Sequence, residues 1–314
     1  MSNQIIPKFY LKSKFWHWNG FKIAWNVKGE KNKSPIIFIH GFGASSAHWR
    51  NNINFFVRKG YAVYTIDLLG FGKSGQPGIK QIGKLDNEVW SNQVTDFIKE
   101  IVRPKNSSKI ILIGNSLGSL VALTCAVSIP EEIKSIIASP MPDQLKLSNK
   151  KITRRTNSNS IKNSLLKYFY LFTPLEIILF LITKLGIISL GLGLAYYKKE
   201  MIDRQLINIV KRPALRPTAA RSLRAMCFGM STREDNLKIT YLLDSLNKIK
   251  TIPLLLIWGE KDNFIPLFLG KRIANCYSWV ELKIIPNSGH CVHDEDHHKF
   301  NKISYQWIKN LNII

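Results

Sequence analysis

Acidic residues are scarce in this chain. Its 314 residues hold 21 Asp+Glu against 45 Lys+Arg, a net charge of +24 with histidine neutral. Cysteine is scarcer still. Cys125, Cys227, Cys276 and Cys291 occur in no CxxC spacing, which excludes a disulfide scaffold and points to a reducing compartment. No uncharged apolar run reaches the length of a membrane-spanning helix. The N-terminus, MSNQIIPKFYLK, lacks both an apolar core and a cleavage-site pattern, so secretion by a signal peptide is not expected. These absences leave a cytoplasmic chain, free or held peripherally at a membrane. Hydrophobic residues make up 45% and aromatics 11%, enough for a sizeable core and too much for disorder.

The positive charge is unevenly spread. Residues 1–60 carry ten bases and one acid, and residues 141–250 carry twenty and seven. Residues 61–140 carry eight and seven, and residues 251–314 carry seven and six. Coding bias would act evenly, so two basic blocks between balanced segments suggest faces that attract anionic partners.

Residues 8–27 flank an Asn19-Gly20 turn and read as a hairpin, because a type I′ turn needs φ > 0 at both central positions. The runs 35–40, 62–67, 109–115, 133–139, 253–259 and 280–286 are apolar and read as strands buried on both faces. Helical patterns lie between them, for instance over 86–102, 117–129 and 264–276. Alternation of this kind means a mostly parallel α/β sheet. The rhythm breaks at 141–250, where no strand pattern is found. We read 1–140 and 251–314 as the core and 141–250 as a helical cap.

Gly114-Asn115-Ser116-Leu117-Gly118 fits G-x-S-x-G, following an apolar strand and opening a helix. Such a turn exposes Ser116 as a nucleophile at the positive end of a helix dipole. A serine hydroxyl needs a base, and His290, in Ser288-Gly289-His290 after the last strand, is the candidate. The imidazole needs a carboxylate on its far nitrogen. Asp262 follows the strand 253–259 and keeps the chain order Ser…Asp…His; Asp143, after the preceding strand, is the alternative acid. His40-Gly41-Phe42-Gly43 follows the first buried strand, so the N–H groups of Phe42 and Leu117 are the expected oxyanion donors. This chemistry calls for no metal and no organic cofactor. The run HDEDHH at 293–298 reads as a solvated helix start rather than a metal site.

With HGFG at 40, DLLGFGKSG at 67–75, GNSLG at 114, WGEKDNFIP at 258 and NSGH at 287, the chain resembles the α/β-hydrolase fold family. The resemblance covers nearly the whole core and implies an eight-stranded sheet with an antiparallel first hairpin and a cap after the sixth strand. Serine at the nucleophile position departs from the family's epoxide hydrolases and haloalkane dehalogenases, which carry Asp there. HGFG…HWR, VYTIDLLGFGKSGQP and GNSLG are most similar to pheophytinases and chlorophyll dephytylases, which cleave phytyl esters, although Ser119 stands where glycine is frequent in that group.

The expected activity is hydrolysis of a carboxylic ester of a lipophilic substrate. C–C bond hydrolysis, thioester hydrolysis and acyl transfer run on the same triad and stay open. Residues 175–197 are apolar nearly all round, so protein or lipid must cover them. Packing on the core, with an apolar pocket, is the first expectation. Contact with an anionic membrane, helped by the basic segment 145–163 and the N-terminal bases, is the second. A non-catalytic basic protein binding membrane or nucleic acid is the rival class. No nucleic-acid motif is present, and the basic segment lacks aromatics for base stacking.

Overall fold

The computed structural model describes residues 13–103, 108–142, 173–184 and 187–311. Asn19 and Gly20 take φ of 47° and 78°, and the chain reverses there from β1 (Lys14–Trp18) to β2 (Phe21–Lys28). The further strands are β3 (Pro35–Ile39), β4 (Ala62–Ile66), β5 (Ile110–Gly114), β6 (Ile133–Ala138), β7 (Leu254–Gly259) and β8 (Val280–Ile285). They form one eight-stranded sheet in the order β1-β2-β4-β3-β5-β6-β7-β8. β2 runs antiparallel to β1 and β4, and the remaining neighbours are parallel.

Every residue of β3, β4, β5 and β7 is buried, as their unbroken apolar runs require. The period of two divides them between two cores. Ile37, Ile39, Tyr64 and Leu112 face α2 (Asn87–Phe97) and α3 (Leu117–Ser128), packing with Trp90, Phe97 and Leu120. Phe38, Val63, Ile111 and Ile113 face the other way, against Trp49, Phe56 of α1 (Ile53–Arg58) and a C-terminal phenylalanine, Phe300. The aromatic hairpin closes the sheet edge. Trp16 and Trp18 are buried, and their indole N–H groups donate to Glu100 and Asp96, each at 2.8 Å. These rings are committed to the core and offer no platform for bases.

Between β6 and β7 the described residues form helices and no strand. They are α4 (Leu175–Lys184), α5 (Ile187–Ala195), α6 (Arg204–Ala214), α7 (Ala219–Ser231) and α8 (Ile239–Ile249). α9 (Leu267–Cys276) and α10 (His297–Asn310) complete the chain's layers. One expectation is corrected here. The apolar segment does not sink into the core: α4 buries Leu175 and Thr183, and α5 buries Ile188 and Ala195. Ile177, Phe180 and Leu190 are 61%, 57% and 69% exposed. No single described helix is long and apolar enough to cross a membrane; α4 and α5 reach that length only as a pair bent by 82°.

Candidate active site

The nucleophile turn is built by close approach. A Cβ on Gly118 would collide with the carbonyl of Ile39, and one on Gly114 with the carbonyl of Gly118. Two glycines therefore let α3 start hard against the ends of β3 and β5. Ser116 between them takes φ 53° and ψ −117°, a region that costs a non-glycine residue about 1–3 kcal/mol. The strain holds a half-buried serine at the first turn of α3. Ser119 explains its own departure from glycine. Its hydroxyl lies 2.9 Å from the carbonyl of Gly114 and 2.8 Å from that of Ser139, joining the ends of β5 and β6.

The loop after β3 meets this turn. A Cβ on Gly41 would stand 3.3 Å from Cβ of Ser116 and 3.1 Å from the carbonyl oxygen of Asn115. Leu117 is the first residue of α3, so no carbonyl within its helix can accept from its N–H. Among the described residues, neither Phe42 nor Leu117 donates its N–H to a backbone carbonyl. Both N–H groups belong to residues that follow Gly41 and Ser116, where the two loops approach.

His40 has a different task. Its Nε2 accepts from the N–H of Leu68 at 3.0 Å, so Nδ1 carries the proton and donates to Gly41 O at 2.8 Å. Burial holds its pKa below the ordinary value, against the pull of Asp67. The neutral ring ties the 40–43 loop to the 67–75 loop and has no lone pair left for a base.

His290 and Asp262 come together from two strand ends. Asp262 lies just beyond β7 and is buried. Its Oδ1 accepts from the N–H groups of Phe264 and Ile265 at 2.8 and 2.9 Å. Its Oδ2 lies 2.9 Å from Nδ1 of the buried His290. Nδ1 is the donor in that pair, which leaves Nε2 with the lone pair a base needs. Phe264 sets its ring edge-on to the imidazole at 5.5 Å. The main chain of His290 is held on both sides: its N–H donates to Ala195 of α5 at 2.7 Å, and its carbonyl accepts from Asn115 Nδ2 at 3.4 Å. The alternative acid, Asp143, lies outside the described residues.

The run HDEDHH is solvated only in its second half, where Asp296 and His297 are half-buried and His298 is exposed. His293, Asp294 and Glu295 are buried, and among the described residues no His/Cys/Asp/Glu group could hold a metal. Glu295 accepts from the N–H of Gly289 at 2.7 Å and from that of Lys198 at 2.6 Å. One carboxyl thus pins the histidine loop and the cap together, and burial pushes its pKa up. Asp294 accepts from Arg50 at 2.8 and 3.0 Å and from the Tyr196 hydroxyl at 2.9 Å. Burial would raise its pKa, but the Arg50 hydrogen bonds and charge outweigh that and hold it low. Arg50 also donates to Asp203, the N-cap of α6, at 2.7 Å. Arg50, Tyr196, Asp203, Asp294 and Glu295 were not singled out from sequence. Their signals were a base after the apolar AHW phrase and three acids in a row, both of which read equally well as surface.

A half-buried serine on a strained strand-to-helix turn and a buried aspartate–histidine pair thus stand at the strand ends of an α/β sheet. Residues 36–303 match the Alpha/beta hydrolase family, and the chain belongs to that family. It is similar to a 2-hydroxy-6-oxononadienedioate/2-hydroxy-6-oxononatrienedioate hydrolase of a Pseudomonas species, at 25% identity over 85% of each chain. Epoxide hydrolase 4 of Homo sapiens is 24% identical over 93% of this chain and 76% of that protein. A putative lipase from Acinetobacter baumannii superposes with a TM-score of 0.75 over 100% of this chain and 98% of that one, at 15% identity. At that identity the likeness is one of fold.

Proposed function

We propose that this hydrolase cleaves a carboxylic ester of an apolar substrate through Ser116, His290 and Asp262. The observation that carries the reading is the Asp262–His290 bond at 2.9 Å, with the histidine's carbonyl tied to Asn115, the residue before a serine on a strained turn. Ser116 Oγ attacks the ester carbonyl carbon, and His290 Nε2 takes the hydroxyl proton. The carbonyl oxygen gains the charge and meets the N–H groups of Phe42 and Leu117. The tetrahedral adduct then expels the alkoxide, which receives the proton from His290. Water, deprotonated by His290, attacks the acyl-serine; the acid leaves and Ser116 regains its proton. Asp262 holds the Nδ1–H tautomer and stabilises the imidazolium at each transfer.

The epoxide-hydrolase likeness does not carry over to that reaction. Attack of a serine on an epoxide would leave an ether, which has no acyl carbon for water to attack. Turnover by that route would stop at the first step.

The test is covalent labelling by a fluorophosphonate, competed by phytyl, lipid and short-chain esters. Labelling is expected in the wild type and not in Ser116→Ala, with kcat on a chromogenic ester falling by roughly 10⁴- to 10⁶-fold. Equal turnover in the variant would overturn the assignment.

The reading includes where the substrate is met. Large apolar side chains of α4 and α5 are exposed, Lys184 ends α4, and Lys199 follows α5 four residues on. Anionic bilayers attract such bases while apolar side chains enter the interface. Sedimentation with anionic vesicles should capture the protein at low salt and release it at high salt. Unchanged binding in a Phe180→Ser/Leu190→Ser variant would refute this docking face.

A further inference from the structure

A cavity of about 430 Å³ lies between core and cap, apart from Ser116, Asp262 and His290. Its core wall is formed by residues 45–47 with Asp67 and Gly72-Lys73, and its cap wall by α6 and the residues just beyond it. Ligand pockets have this size. Three cations line it, Lys73, Arg212 and Arg216, against one carboxylate, Asp67. Asp67 is held by backbone, Oδ1 accepting from the N–H of Ser46 and Oδ2 from that of Lys73, each at 2.7 Å, and its one charge is outnumbered by the three cations.

Arg216 is fixed in place, with Nη1 donating to the carbonyls of Ser74 and Gly72 at 2.7 and 3.2 Å. One nitrogen makes both bonds, so the rest of its fork has donors left for a ligand. Arg212 has no ion pair or hydrogen bond among the described residues. Phe15 and Ile209 supply apolar surface beside these charges. Such a wall, cationic at one end and apolar along a side, is complementary to an oxyanion carried on an apolar chain.

The cavity is also near the donor site. Ser45, in its wall, is three residues beyond Phe42, so their Cα atoms are within roughly 11 Å even if that stretch were fully extended. A turn from Ala44 N–H to Gly41 O, at 3.3 Å, brings them nearer. A carbonyl at the oxyanion donors and a phosphate in the cavity can belong to one molecule of modest size.

We propose that this cavity is an anion-recognition site, in which Arg212, Arg216 and Lys73 bind a phosphate-type oxyanion borne by the substrate. The proposal rests on the ester-hydrolase reading and narrows it to amphiphilic esters with an anionic head. The cap would then select the head group and the core perform the cleavage.

Binding is measured by titration calorimetry on the full-length Ser116→Ala protein, which removes turnover. The probes are dioctanoyl phosphatidate, dioctanoylglycerol with the same acyl chains, and inorganic phosphate. Phosphatidate is expected to bind at least about tenfold more tightly than the neutral diester, the worth of one charge-assisted hydrogen bond. Arg212→Glu, at an exposed position in the last turn of α6, should remove most of that difference. Inorganic phosphate binding as tightly as phosphatidate would keep the site and assign it to a free oxyanion. Equal affinity for charged and neutral diesters, or a preference unchanged in both Arg212→Glu and Arg216→Gln, would overturn the proposal. The two failures are distinguishable: loss of fluorophosphonate labelling would strike the ester-hydrolase reading, whereas equal binding of charged and neutral diesters would strike the anion site alone.

Discussion

β5 and α5 are both apolar and uncharged, and they have opposite fates. IILIG is wholly buried, while IISLGLGLA leaves Leu190 69% and Leu194 54% exposed. The strand lies mid-sheet, with a strand on each side and a helical layer on each face. The helix buries one narrow stripe and has nothing over the remainder. Hydrophobicity alone thus predicts that a segment will be covered by something, and the neighbours decide by what. The chemistry follows the same division. The residues proposed to react stand on loops after strands of the sheet, Ser116 and Asp262 after the fully buried β5 and β7 and His290 after the partly exposed β8, whereas the cap contributes fastenings and an uncovered surface.

Four measurements would break or sharpen this contrast. The largest effect belongs to the core. Asp262→Asn keeps the shape of the pair but cannot hold the Nδ1–H tautomer, so kcat should fall by about 10⁴-fold with the fold intact. Near-normal turnover would move the acid role to another carboxylate. Next comes the paired truncation of two phenylalanines. Phe38→Ala, in a site with no exposed surface, should cost about 3–5 kcal/mol in denaturant unfolding. Phe180→Ala, 57% exposed, should stay within about 0.5 kcal/mol. Equal costs would show that the face of α4 is covered in solution.

The seam between the regions comes third. Arg50→Met strands Asp294 with a buried charge, and a loss of about 3 kcal/mol or more is expected. The same variant frees the N-cap of α6, so limited proteolysis should open the cap before the core.

The smallest effect is a slope with pH. Burial holds His48 down to about 4, against the attraction of Asp294. The unfolded ring takes up a proton near 6.5, so between these values the unfolded state binds more protons. Stability therefore falls as pH drops from about 6.5 towards 4, by at most about 1.4 kcal/mol per unit for this one group. His48→Gln should flatten part of that slope in unfolding curves taken across the window. Asp294, held low by Arg50, loses its contribution only as pH falls below 3.8, so the two are separable.

Much of the candidate site was legible because its parts are local. G-x-S-x-G, HGFG and the glycine before His290 are backbone requirements written in consecutive residues: Gly41, Gly114, Gly118 and Gly289 each meet a neighbouring carbonyl or side chain in space, and Gly43 takes φ 69°. The clasp was not legible. HDEDHH looks the same on a solvated helix as in a buried network, since a carboxylate is tolerable inside only when a distant residue pairs with it. Arg50 lies 244 residues before its partner Asp294, and no local pattern joins them.

The order and spacing of apolar runs determined the parallel sheet and the place of the inserted helices, and short motifs after those runs marked the residues that could serve as nucleophile, acid and base. Those features follow from the periods of strand and helix and from what glycine permits. Tertiary structure alone decided which acids are buried, that α4 and α5 lie open, and that three cations from core and cap line one cavity. Burial and charge compensation are set by neighbours far apart in the chain, and such neighbours exist only once the chain has folded.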